Sequence, residues 1–110
     1  MPHHPAWDIY ESALLLDICL RVERGEIEEK AAIKKLSETL RRTAGRNDEN
    51  DTYRNEAGIS WQYNYMKYLI TRPEYERGSK VFREIARLYR EEPEQYAQIL
   101  REAKRIFSVK

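Results

Sequence analysis

The chain has 110 residues and a mass of 13.2 kDa, enough for one domain that buries a core without disulfides or metal. Four Gly and four Pro among many Glu, Lys, Arg, Leu and Ala argue for helices and against strands. One cysteine excludes an internal disulfide, and a net charge of +1 excludes a generally polycationic nucleic-acid binder.

The start, MetProHisHisPro within residues 1–6, reads as a flexible lead-in. His3 and His4 have no spaced partners for a metal site, so neither metal nor cofactor is expected. A first helix is predicted from Trp7 or Asp8 to Arg24. Its apolar residues fall in two stripes, Trp7, Tyr10, Leu14, Ile18, Val22 and Ile9, Ala13, Leu16, Leu20. Two stripes mean contact from more than one side, so this helix is expected at the centre of the fold. Cys19 lies in that apolar run and reads as a buried small hydrophobe. Gly25 ends the helix.

A second helix is predicted from Ile27 to Thr43, with Ala32, Ile33, Leu36 and Leu40 facing the core. Glu28 and Glu29 in its first turn and Arg41 and Arg42 in its last suit the helix dipole. Gly45 stops it, and the polar run 46–51 is a loop.

The third helix carries most of the functional argument. The stretch from Tyr53 to Thr71 holds Trp61 and four of the eight tyrosines, with Tyr75 just beyond, and has no acidic residue from Ala57 through Pro73. Asn55 is placed to cap it, with Glu56 at its positive end. At about 100° per residue, Ile59, Tyr63, Met66 and Ile70 form one apolar stripe. Ser60, Asn64, Lys67 and Thr71 fall opposite, with Trp61 and Tyr68 beside them. Arg72 before Pro73 ends the helix.

A fourth helix is predicted from the cap Ser79 to Glu91, with Val81, Phe82, Ile85, Leu88 and Tyr89 apolar. A fifth runs from Pro93 to Phe107, burying Tyr96, Ile99, Leu100, Ala103, Ile106 and Phe107. The two form a C-terminal hairpin over residues 73–110, packed on a three-helix core over 7–72. The fold class is therefore all-α, about five helices in one domain, with a core of helix-turn-helix plan.

Catalysis finds no footing. No Ser, His and Asp set can be assembled, no glycine-rich phosphate loop occurs, and most carboxylates sit three or four residues from a Lys or Arg. Binding is the expected activity, with duplex DNA read by the third helix, residues 55–71, as the leading expectation and docking on a protein machine as the alternative. On duplex DNA, Gln62, Asn64 and Lys67 would read bases, with Ser60 and Arg54 on phosphate. Trp61, Tyr68, Thr71 and Arg72 complete the candidate surface, and Arg41 and Arg42 form a secondary basic site. Residues 1–51 carry eight basic and eleven acidic side chains, and residues 52–110 carry twelve and eight, so the basic excess lies in the same half. Other roles are open to the same residues. Arg54 can instead anchor the loop by pairing with a first-helix carboxylate such as Glu11. The third-helix tyrosines can pack in the core. The Trp and Tyr face can equally dock on protein.

Trp7, Glu11, Leu14-Leu15-Leu16, Leu36-Ser37, Leu40-Arg41, Tyr53-Arg54-Asn55 and Gly58-Ile59 together resemble a bacterial helical domain related to the Myb/SANT group. The likeness spans residues 7–71, and Arg54-Asn55 with Gly58-Ile59 is its most specific part. Such domains occur at the N-termini of longer proteins beside nuclease, helicase or other defence-type modules. The resemblance implies double-stranded DNA binding through the third helix, and SANT-type domains also bind proteins. Trp7 is the one tryptophan among the residues that carry the likeness, where the Myb repeat spaces three, and the second helix is longer and the third tyrosine-rich. As a docking module it would serve as an adaptor or a small inhibitor on a larger nucleic-acid machine, and a homodimer is compatible with either role. With neither a signal peptide nor an apolar run near 18 residues, a cytoplasmic protein is expected and no membrane partner.

Overall fold

The computed structural model describes residues 5–46, 51–72 and 78–109. The expectations for His3 and His4, for most of the polar loop and for the linker around Tyr75 lie outside the described residues. Within them the chain is all-helical. Five helices run in order, α1 (Ile9–Glu23), α2 (Glu29–Thr43), α3 (Glu56–Thr71), α4 (Lys80–Glu91) and α5 (Pro93–Ile106).

Local sequence explains the ends. Asp8 caps α1 in a reciprocal box: its carboxylate accepts from Glu11 N at 2.7 Å, and the Glu11 carboxylate accepts from Asp8 N at 3.1 Å. Asn55 caps α3 by accepting from Gly58 N at 2.8 Å, and Ser79 caps α4. α2 has no side-chain cap and begins at Glu29, two residues later than its apolar pattern suggests. Gly25 and Gly45 take φ of 74° and 71° after α1 and α2. This lets the next residue, Glu26 or Arg46, donate to a carbonyl five residues back. Pro93 opens α5, where no intrahelical N–H is required.

α1 is the axis of the fold. It alone touches all four other helices, and Ala13, Leu14, Leu15 and Leu16 are buried in succession all round it. The two apolar stripes predicted for it are thus both used. α2 and α4 each pack on both α1 and α3, which also meet directly, and α5 packs on α1 and α4 but touches neither α2 nor α3. One core cluster joins all five helices, from Leu15 and Leu36 to Tyr63, Ile85 and Ala103. In α5 the buried row is Tyr96, Ala103 and Phe107, with Ile99 and Leu100 half-buried. Ile106, expected inside, is 40% exposed because it sits about 80° round the helix from that row.

Two buried groups test this packing. Cys19 is buried, its thiol 3.8 Å from the Tyr63 carbonyl, and burial pushes its pKa well above the ordinary thiol range. It should resist iodoacetamide in the native protein and react once denaturant unfolds the chain. The Tyr96 hydroxyl is buried beside the Tyr89 ring, with no protein hydrogen-bond partner among the described residues. Tyr96→Phe should therefore leave stability unchanged or raise it by about 1 kcal/mol in urea unfolding.

Candidate functional site

The site begins with what holds α3 in place. Arg54 precedes the Asn55 cap and adopts φ of 47°, a left-handed conformation costly for a side-chain-bearing residue. Three sets of contacts hold it there. Ser37 of α2 donates to the Arg54 carbonyl at 2.6 Å. The guanidinium forks onto Glu11 of α1, Nε to Oε2 at 3.0 Å and one terminal nitrogen to Oε1 at 3.1 Å, and that nitrogen also reaches the Pro5 carbonyl at 2.9 Å. The Trp7 and Tyr53 rings each lie 4.7 Å from the guanidinium carbon. Trp7 in turn meets Phe82 of α4 edge to face, 5.7 Å between centroids.

This corrects one expectation. Arg54 is 7% exposed and its charge is committed to Glu11, so it is not placed to meet phosphate. The anchoring role is the one it takes. Arg41 is also drawn inward: one terminal nitrogen donates to the Asp51 and Tyr53 carbonyls, both at 2.7 Å. Arg42 stays exposed, on a recess shared with Lys34, Arg46 and the carboxylates of Glu38 and Glu56.

The outer face of α3 also differs in composition from the helical wheel. Its buried arc is Ile59, Tyr63, Met66 and Leu69, rotated toward α4, where Arg90 donates to the Leu69 carbonyl at 2.9 Å. Ser60 and Lys67, expected opposite the core, become half-buried edges, with Ser60 on a groove beside Glu29 and Ile33 of α2. Gln62 is half-buried on the other edge, near Trp7. The centre of the exposed face is aromatic: Trp61 is 67% exposed, Tyr65 37% and Tyr68 39%. These three sit at i, i+4 and i+7, a row about 10 Å long on a rigid helix. The Arg72 guanidinium lies 4.9 Å from the Tyr68 ring centre, and Asn64 and Thr71 are exposed beside the row.

Tyr65 is the residue that sequence reasoning missed. The spacing Trp61, Tyr65, Tyr68 marks it, once the neighbouring helices show which arc is free. The tyrosines divide by environment. Tyr53 and Tyr63 are core residues whose hydroxyl pKa values are raised by burial, while Tyr65 and Tyr68 face solvent. Among the described residues α4 and α5 leave this face open, since α4 packs along one edge of α3 and α5 does not reach it.

Among the described residues no group of three His, Cys, Asp or Glu side chains could hold a metal ion, and no helix is long and apolar enough to cross a membrane. No protein-family model, curated protein or solved structure matches the chain.

The two parts of the site should separate in unfolding experiments. Arg54→Met strands the buried Glu11 carboxylate and should cost about 3–5 kcal/mol, and adding Glu11→Leu should recover part of that loss. Trp61→Ala removes an exposed ring and should change stability by less than about 0.5 kcal/mol.

Proposed function

We propose that the chain is a protein-interaction module whose contact face is the outer side of α3. One observation carries this reading: the Trp61, Tyr65 and Tyr68 row, exposed together on a helix without a carboxylate after Glu56. Large aromatic side chains are costly to leave in water, and a contiguous exposed group of them marks a binding surface. Trp, Tyr and Arg are also the residues that most often dominate protein interfaces, because they bury much area at little conformational cost. Arg72, Asn64 and Thr71 supply a polar rim. The resemblance to Myb/SANT-like domains is compatible with this role, as such domains bind proteins as well as DNA. A larger nucleic-acid machine is the kind of partner it favours.

Duplex DNA is the second reading, favoured by Asn64, Lys67 and Arg72 on an acid-free helix face. Its electrostatic support is thin once Arg54 and Arg41 are committed elsewhere. Two cations facing phosphate would give a salt dependence of only about −2 in log K against log salt, where specific DNA binders making 6–10 phosphate contacts show much steeper slopes.

Two measurements decide between them. Anisotropy of a labelled duplex at several salt concentrations should show weak binding with a slope no steeper than about −2. A photo-crosslinking residue in place of Tyr65, introduced in the cells that make the protein, should give a discrete protein adduct that is lost in Trp61→Ala/Tyr68→Ala. Tight duplex binding with a steep slope, abolished by Lys67→Glu, would instead assign the face to DNA.

A further inference from the structure

α2 and α5 both pack on α1 and do not touch each other among the described residues. Where α1 faces α2, along Leu14, Ile18 and Arg21, a half-open cavity of about 210 Å³ remains, lined also by Val109 past the end of α5. The facing residues of α2 include Ala31 and Ala32, too small to fill it. Ile27, Leu36 and Val109 complete its apolar walls, Thr39 adds the one buried hydroxyl-bearing side chain, and no aromatic ring lines it. At the rim, Asp17 pairs with Arg21 at 3.2 Å, so those two charges cancel. Lys35, also on the rim and exposed, makes no ion pair within 4.0 Å among the described residues. The mouth of an aliphatic slot therefore carries one uncompensated positive charge.

We propose that this cavity binds a medium-chain aliphatic carboxylate, its chain along α1 and its head group on Lys35. The size follows from volume. An apolar cavity of about 150 Å³ admits the six carbons of benzene, so the present one holds a chain of about eight. The shape agrees, because the α1 strip from Leu14 to Arg21 runs about 10 Å, and an extended chain of that many carbons is of similar length. The charge selects the head group. A carboxylate gains a charge-assisted hydrogen bond from Lys35, while an ammonium would meet repulsion. The site lies on α1 and α2, apart from the exposed row on α3, and is independent of the function proposed for that row.

The test is a titration of the full chain with octanoate, followed by NMR of the Ile18 and Ile27 methyl groups and by the melting temperature. Saturable methyl shifts and a rise in Tm are expected. Ala31→Trp, at an exposed position on the mouth, should fill the slot and abolish both effects while keeping the helical circular dichroism of the parent. Lys35→Glu should weaken binding by about tenfold or more. Octylamine, with the same chain and the opposite charge, should bind more weakly than octanoate. Absence of saturable shifts, or shifts unchanged in Ala31→Trp, would overturn the site. Octylamine binding as tightly as octanoate would overturn the carboxylate assignment.

Discussion

The buried pair between Arg54 and Glu11 is the constraint on which the arrangement of α3 depends. Burying two charges is costly, and such a pair is retained where it fixes geometry more than where it adds net stability. Here it ties the residue just before α3 to the first turn of α1, which the same Glu11 carboxylate helps to cap. Ser37 adds α2 to this junction through the Arg54 carbonyl, and Trp7 adds α4 through Phe82. Each helix touching the junction constrains the rotation of α3 about its own axis. That rotation decides which side chains of α3 reach solvent.

The rest follows from packing four helices around one. α1 is contacted from every side and gives the core its continuity. Its neighbours do not all meet, and the gaps define the surfaces available for binding. α4 and α2 occupy two edges of α3 and leave the Trp61, Tyr65 and Tyr68 row between them. α1 and α2 leave the slot above Ile18 between them, with Val109 also lining it. One surface is a rigid aromatic ridge and the other an aliphatic recess, so they suit ligands of different kinds.

Much of the fold was legible in the chain. The Asn55 and Ser79 caps, Gly25, Gly45 and Pro93 each act within a few residues, so their effects can be read locally. The double stripe of the first helix marked its central place. Arg54 with Glu11 was visible as one of two uses for that arginine, because a partner 43 residues away can be guessed by charge but not chosen by sequence spacing. Ser60 and Lys67 were placed on an open face because a helical wheel knows the period of a helix but not its neighbours. Tyr65 was passed over for the same reason.

By itself, then, the sequence determined five helices, their ends to within about two residues, most of the residues able to form a core and the absence of acid along α3 after Glu56. These depend on backbone preference and on periodicity, which act over a turn or two. Only the tertiary structure decided that Arg54 turns inward, that Trp61, Tyr65 and Tyr68 form the exposed row, and that a slot remains along α1 and α2. Those outcomes depend on the rotation and spacing of packed helices, which contacts between residues far apart in the chain determine together.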